Sequence, residues 1–512
     1  MIKTIHAAIF SVLACCLTAN AQPGAMQKPR NIILLYADDL GYGDLGCYGC
    51  TDIPTPNVDR LCRDGLRFLD AHAEAATCTP SRYSILTGKY AFRKKGTDIL
   101  PGDANLIIPP AEPNLASVLK NAGYATGIVG KWHLGLGYGK LDWNTLITPG
   151  PAEIGFDYAF VLPATLDRVP CVYLEEGRVL NLDQKDPIQV NYQHRVGNDP
   201  TGFSNPELVR LKGDAQHSGT IVDGVPRIGF MAGGHSARWV DETMPDILVN
   251  RAIKFIEENK TNPFFLYYAM PEPHVPRLPS PRFAGRTKLG SRGDVIVQMD
   301  WEVGQVLDTL DRLGLSKDTM VIFSSDNGPI LFDGYHDDSI TKNGAHRISG
   351  PYRGGKYDAL EGGTRVPFIV RWPKYVKPGE SKALVSQMDL LASLASVTRQ
   401  TLPNAGVLDS INILPAFLGQ SDTGRESLVE QGSTALGFRA GDWKLIKRIP
   451  KPAYRESKAA GLPPTGLYNL DDDPQEKDNL VLRNPAKAAE LEKALEQIVG
   501  KQYFPTGEEQ KD

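Results

Sequence analysis

Long apolar stretches are nearly absent from this sequence of 512 residues: after Leu17, no segment approaches the roughly 20 consecutive apolar residues that cross a bilayer. No transmembrane segment is expected. An excess of charge of either sign is missing as well. Lys and Arg total 56 against 60 Asp and Glu, a formal charge of -4, so there is no basic field to attract nucleic acid or an anionic membrane. An anionic substrate would therefore have to be held by a few local cations. Repeats and low-complexity tracts are lacking, which argues against solenoids and linker arrays. Cysteine is scarce, at seven residues.

What is present fits a large globular protein, since 41% hydrophobic residues over this length supply one large core and a smaller appended unit. The chain opens with Met1-Ile2-Lys3-Thr4-Ile5-His6, an apolar run from Ala7 to Leu17, and the small-residue stretch Thr18-Ala19-Asn20-Ala21-Gln22. This reads as a secretory signal over residues 1–21, implying export to the periplasm or beyond. A second reading is lipid attachment at Cys15, because Val12-Leu13-Ala14-Cys15 has the character of a lipobox. Removal of the signal leaves Cys47, Cys50, Cys62, Cys78 and Cys171, an odd set that invites one special thiol. Cys47 could pair with Cys50, or either with Cys62; a lone close pair is a weak zinc signal.

Short apolar runs alternate with segments of helical period, the pattern of a mostly parallel sheet covered by helices. The expected strands are Asn31–Ala37, Tyr124–Val129, Pro263–Ala269, Met320–Ser324 and Arg365–Arg371. Helices are expected from an Asn114 cap to Asn121 with Gly123 as stop, over Met244–Asn259, and from about Asp294 to Leu313. The stretch from about Asp167 to Gly234 has little periodicity and reads as an insertion walling a pocket. After Leu414 come short strand-like pieces at Ala435–Arg439, Trp443–Ile446 and Leu467–Leu470, then a polar helix over Pro485–Val499. The expected division is a main α/β domain over 22–414 and a smaller α+β unit over 415–512.

In an open α/β sheet, ligands bind beyond the carboxyl ends of the strands. Four apolar runs here end in chemistry-bearing residues: Asp38-Asp39, Asp326-Asn327-Gly328, Lys131-Trp132-His133, and Pro271-Glu272-Pro273-His274. Three carboxylates and an amide at one sheet edge would repel unless a cation sat among them, and oxygen-only ligands suit Ca²⁺ or Mg²⁺. Taken singly, either acidic pair would be a turn or a helix cap. Thr77-Cys78-Thr79-Pro80-Ser81-Arg82 places Pro80 in the first turn of a helix, and so Cys78 near an N-terminus that stabilises anions. A buried structural cysteine is the plain alternative.

Cys78-Thr79-Pro80-Ser81-Arg82 followed by Leu86-Thr87-Gly88 resembles the Cys-x-Pro-x-Arg signature of type I sulfatases. The likeness extends through Asp38-Asp39-Leu40-Gly41, Gly130-Lys131-Trp132-His133-Leu134-Gly135, Pro273-His274-Val275-Pro276, Ser325-Asp326-Asn327-Gly328, and Arg353-Gly354-Gly355-Lys356 with Glu361-Gly362-Gly363. Gly441-Asp442-Trp443-Lys444-Leu445 and Leu467-Tyr468-Asn469-Leu470 are similar to the family's C-terminal subdomain. The resemblance implies an alkaline-phosphatase-like fold, and oxidation of Cys78 to formylglycine by a maturation enzyme. It implies Ca²⁺, rather than Mg²⁺, on Asp38, Asp39, Asp326, Asn327 and the modified residue 78. In the implied reaction the formylglycine hydrate attacks sulfur, the sugar hydroxyl leaves, and the sulfated hydrate collapses. Arg82 and Lys131 would orient the hydrate, Lys356 would clamp sulfate, His274 would act as general acid and His133 as base.

The expected substrate is a sulfated sugar or oligosaccharide, from a glycosaminoglycan or mucin-type glycan. Pro163-Ala164-Thr165-Leu166-Asp167-Arg168-Val169-Pro170 resembles a segment of members that remove 6-O-sulfate from galactose or N-acetylgalactosamine, so Asp167 and Arg168 are expected to recognise an axial hydroxyl. His235, in Gly233-Gly234-His235-Ser236-Ala237-Arg238, is a further candidate for the pocket. Two alternatives stand beside this reading. A phosphodiesterase or phosphatase of the same superfold would need Ser or Thr as nucleophile and a second metal-ligand set. A non-catalytic sulfoglycan-binding protein would keep Cys78 as a thiol.

Overall fold

The computed structural model describes residues 26–402, 409–449 and 462–500. The expected signal over 1–21, with Cys15, lies outside them. Asn31–Ala37 and Thr319–Ser325 are buried at every position. Successive side chains of a strand point to opposite faces, so both faces of the sheet are covered here, as the continuous apolar runs require. These two strands lie inside a ten-stranded sheet. Its order is Gly379–Ser381, Leu66–Phe68, Phe368–Arg371, Thr319–Ser325, Asn31–Ala37, Phe264–Ala269, Ala125–Lys131, Tyr158–Leu162, Leu174–Glu175 and Arg178–Val179.

The five strands from Thr319–Ser325 to Tyr158–Leu162 are mutually parallel. Asn31 pairs with both Phe264 and Thr319, and Ala37 with Ser325. That register brings the carboxyl ends level, so the residues after them share one crevice. One expected strand differs: Phe368–Arg371 is shorter than the run from Arg365, and it runs antiparallel to Thr319–Ser325. Residues Glu361–Thr364 form a helical turn whose Glu361 carboxylate takes the Arg365 guanidinium at 2.6 Å, holding that end of the run out of the sheet.

Two groups of helices pack on the sheet: Pro56–Arg63, Met244–Glu258 and Ser291–Arg312 in one, Cys78–Thr87, Leu115–Asn121 and Asp389–Val397 in the other. No helix among the described residues is long and apolar enough to cross a membrane. The stretch from 167 to 234 adds the edge hairpin Leu174–Glu175 with Arg178–Val179 to the large sheet and holds two further small strand pairs, Gln189–Asn191 with Phe230–Ala232 and Ile221–Val222 with Val225–Pro226. A separate four-stranded antiparallel sheet runs Ser427–Gln431, Ala435–Ala440, Trp443–Arg448 and Thr465–Asn469. It buries Leu428, Leu436, Leu445 and Leu467 against Leu491 and Leu495 of the helix Pro485–Val499. Backbone bonds between Ala76 and Gln431 and between Gln431 and Glu74, both 2.8 Å, join it to the segment leading to Cys78.

Asn114 shows how local chemistry fixes one element. Its side chain accepts from the Ala116 and Ser117 amides and donates to the Ile154 carbonyl at 2.8 Å, fully buried. Removing a cap costs about 1 kcal/mol, and orphaning the buried partners adds about 1–3 kcal/mol. Asn114→Ala is therefore expected to lower stability by about 2–4 kcal/mol, read from the urea midpoint.

Candidate active site

The crevice beyond the level strand ends holds a cluster of opposite charges that is almost closed to solvent. Asp38, Asp39, Asp326 and Asn327 are at most 1% exposed, as is Cys78. Cys78 begins the helix Cys78–Thr87, and its Sγ lies within 4.8 Å of carboxylate oxygens of both Asp38 and Asp326. Three cations divide these carboxylates among them. Lys131 Nζ donates to Asp38 at 2.6 Å, and Arg82 binds Asp326 through Nε at 3.0 Å and Nη2 at 2.8 Å. Lys356 Nζ donates to Asp39 and to Asp333, each at 2.8 Å.

Burial, with the nearby Asp326 and Asp39 carboxylates, pushes the Asp38 carboxyl well above its usual range despite Lys131 and Arg82. Burial opposes the Lys356 ammonium too, but Asp333 and Asp39 outweigh it and raise its pKa well above the ordinary lysine value. Burial also raises the pKa of the Cys78 thiol, so as an unmodified cysteine it is a poor nucleophile.

Two buried oxygens, Asp38 Oδ1 and Asn327 Oδ1, have no hydrogen-bond partner. The Asn327 amide donates instead to Asp39 at 2.8 Å, which turns its carbonyl oxygen free. Orphaned acceptors among three carboxylates are costly unless a cation completes them, and an all-oxygen set fits a hard divalent ion. The residues present therefore fit a divalent metal held by Asp38, Asp39, Asp326 and Asn327.

Two histidines are fixed by carbonyls. His133 Nε2 lies 2.9 Å from the Leu100 carbonyl, which can only accept, so the proton sits on Nε2 and the buried Nδ1 is left unpartnered. His274 is reversed: Nδ1 donates to the Val275 carbonyl at 2.7 Å, and Nε2 faces Asp39 Oδ2 at 3.8 Å. Both pKa values lie well below the usual histidine value. Burial is the main cause, reinforced by Lys131 and Arg168 at His133 and by Lys356 and Lys131 at His274.

Asp167 and Arg168 join the same neighbourhood. Arg168 Nη1 binds Asp167 at 2.9 and 3.0 Å, the Arg168 charge is felt at His133, and Asp167 is felt at His274. His217 Nε2 reaches Asp167 at 3.2 Å while its Nδ1 reaches Asp214 at 2.8 Å. Burial opposes a charged ring there, yet the two carboxylates raise the His217 pKa. His235 is placed elsewhere: its ring is 58% exposed and bonds Asp186 and Asp199, and none of its described contacts reaches the Asp38 cluster.

Sequence reasoning missed Asp333 and His217. Asp333 had a faint signal in its place seven residues after Asp326, and His217 one in the Asp214-x-x-His217 spacing, but neither follows a strand. The cysteine question closes simply. All five described cysteines are free, and Cys47 hydrogen-bonds Cys62 rather than Cys50.

A divalent cation added to metal-free protein is expected to raise the melting temperature; at a concentration about 100 times its dissociation constant the gain is about 2.7 kcal/mol. Asp326→Ala is expected to abolish that rise, and an undiminished shift by differential scanning fluorimetry would count against this ligand set.

Comparisons agree with this geometry. The family model described as Sulfatase matches residues 30–400. An N-acetylgalactosamine-6-O-sulfatase of Bacteroides thetaiotaomicron is 50% identical over 92% of this chain and 93% of its own length. Human arylsulfatase A is 32% identical over 94% of this chain and 89% of its own. A solved structure described under metabolism of multiple glycosaminoglycans by Bacteroides thetaiotaomicron superposes with a TM-score of 0.90 at 51% identity, covering 92% of this chain and 99% of that one. With the motif cysteine, the paired carboxylates and the fold in agreement, the chain belongs to the sulfatase family, enzymes of alkaline-phosphatase-like fold that use formylglycine and a divalent metal.

Proposed function

We propose that this sulfatase removes a 6-O-sulfate from galactose or N-acetylgalactosamine in a glycosaminoglycan or mucin-type glycan, with residue 78 as formylglycine and Ca²⁺ as the metal. The observation that carries the sugar assignment is the Asp167–Arg168 pair, buried beside His133 and His274 and braced by His217. A charged donor and acceptor fixed in one place can bind an axial hydroxyl and leave an equatorial one unpaired. The relative named for N-acetylgalactosamine 6-O-sulfate supports the same choice. Ca²⁺ is favoured over Mg²⁺ because a cage of three carboxylates and an amide leaves little place for the waters that Mg²⁺ retains.

The bound cation supplies positive charge that favours the ionised form of the residue-78 hydrate. Lys131 and Arg82, locked by Asp38 and Asp326, orient that residue. Lys356, held between Asp39 and Asp333, binds sulfate oxygens. His274 gives a proton from Nε2 to the leaving sugar oxygen, and His133 receives one at Nδ1 when the sulfated residue is cleared. His274 carries no proton at Nε2 in the unliganded site, so this role depends on the negative charge of the substrate offsetting Lys356 and Lys131.

At 1% exposure Cys78 is out of reach of another enzyme in the folded protein, so the formylglycine-generating partner acts on the unfolded segment. We read 1–21 as the export signal, 22–414 as the catalytic domain and 415–512 as the C-terminal subdomain. A two-metal phosphatase is disfavoured, because the one further acid–histidine cluster of metal-holding geometry among the described residues, Asp70, His72 and Glu361, is already filled by Arg365 and Lys444.

Matured enzyme, with formylglycine verified by peptide mass spectrometry, is expected to release sulfate from N-acetylgalactosamine 6-sulfate with higher kcat/KM than from N-acetylglucosamine 6-sulfate. Arg168→Ala should cost the galacto substrate about 10- to 100-fold, the range of one lost charged hydrogen bond. Equal activity on both sugars would overturn the specificity reading. Cys78→Ala should abolish turnover with the melting temperature nearly unchanged, and a wild-type rate would overturn the nucleophile.

A further inference from the structure

Beneath the catalytic crevice lies a second, larger charge cluster that none of the roles above uses. Lys444 of the C-terminal sheet is fully buried with its Nζ 2.8 Å from Glu361, 2.7 Å from Glu430 and 3.3 Å from Glu476. Glu361 also binds Arg365 at 2.6 Å, and Arg365 binds Asp70 at 2.8 Å. His72 bonds Asp70 through Nε2 at 2.8 Å and Glu430 through Nδ1 at 2.7 Å. Carboxylates at both ring nitrogens make it a double donor, hence an imidazolium. Arg439 reaches Asp70 at 3.1 Å and completes the set.

Carboxylates and cations balance in this cluster, and its members come equally from two sources. Asp70, His72, Glu361 and Arg365 belong to the larger unit, in segments flanking its ten-stranded sheet; Glu430, Arg439, Lys444 and Glu476 belong to the C-terminal unit. Such a network is poor evidence for stability, since well-packed apolar groups of the same volume often do as well. Its geometry points to another use. Charges without water tolerate only one arrangement, so the cluster fixes the position of whatever backbone its members carry.

The backbone it carries is the turn over Lys356 and Asn327. The Glu361 amide donates to Glu476 at 2.7 Å, the Gly362 amide to the Arg353 carbonyl at 2.8 Å, and the Gly328 amide to the Gly363 carbonyl at 2.8 Å. Lys356 closes the loop by donating its own amide to Pro329 at 2.9 Å. The packing leaves no slack: a Cβ on Gly328 would stand 1.9 Å from the Gly362 carbonyl oxygen, and one on Gly362 would stand 2.3 Å from that of Gly354. A shift of Glu361 is passed directly to the residue beside Asn327.

We infer that Lys444 is a positioning residue of the catalytic centre, acting through Glu361 on the turns that carry Asn327 and Lys356, so that the C-terminal unit completes the active site. The inference deepens the sulfatase reading, and it is tested by cation binding as well as by turnover. Lys444→Met, Lys444→Arg and Glu430→Gln are compared with wild type for kcat, KM and the cation concentration giving half the rise in melting temperature. In Lys444→Met that concentration is expected to rise at least tenfold and kcat to fall at least tenfold, while Lys444→Arg, which keeps the charge, recovers most of both.

A Lys444→Met protein that melts earlier but keeps wild-type half-saturation and kcat would overturn the inference, since a purely structural role predicts that result. If Lys444→Met does not fold, Glu430→Gln decides: a raised half-saturating concentration supports the inference and an unchanged one overturns it. Absence of sulfatase activity in wild type, with the cation response still weakened in the variants, would sink the proposed function and leave this inference standing.

Discussion

The rest of the molecule is arranged around one electrostatic requirement: four carboxylates, Asp38, Asp39, Asp326 and Asp333, stand at the carboxyl edge of a sheet beside only three cations, Arg82, Lys131 and Lys356. Bare carboxylates out of water would cost far more than a domain's whole stability, so each must have a partner. The set carries one net negative charge. A divalent cation among them reverses that excess, which favours an anionic group in the crevice.

That balance depends on strand register, because a one-residue slip between Asn31–Ala37 and Thr319–Ser325 would separate Asp38 and Asp39 from Asp326 and Asn327. Register is in turn held by burial on both faces. The sheet therefore has to be central and fully covered for the site to exist, and the two helix groups supply that cover. The same logic reaches the C-terminal unit, whose buried charges meet those of the main sheet at Glu361.

Legibility in the sequence followed the same physics. Strands buried on both faces write themselves as unbroken apolar runs, and Asn31–Ala37 was readable to the residue. Direction is not written in a run, which is why Phe368–Arg371 looked like one more parallel strand. The site residues readable in advance are those that follow strands or sit in the motif helix. Asp333 and His217 lie in irregular segments and are placed only by tertiary contacts, with Lys356 and Asp167 respectively. His235, glycine-flanked in the sequence, is held at the surface by its partners Asp186 and Asp199, away from the Asp38 cluster.

In the mechanism proposed above, opposite tautomers would divide the labour of His133 and His274. His133 presents an unprotonated Nδ1 because Leu100 takes the proton on Nε2, and burial, reinforced by Lys131 and Arg168, keeps the ring neutral, the state a base would need. His274 is neutral for the same reasons, which is the wrong state for an acid. The contradiction dissolves when the reaction coordinate is considered. In that mechanism negative charge would grow on the sugar oxygen as its bond to sulfur breaks, and would offset the Lys356 and Lys131 charges that disfavour a proton on His274. A His274 that gains its proton only with an anionic substrate in place would not hold Asp39 as a permanent imidazolium, and would leave that carboxylate open to a cation.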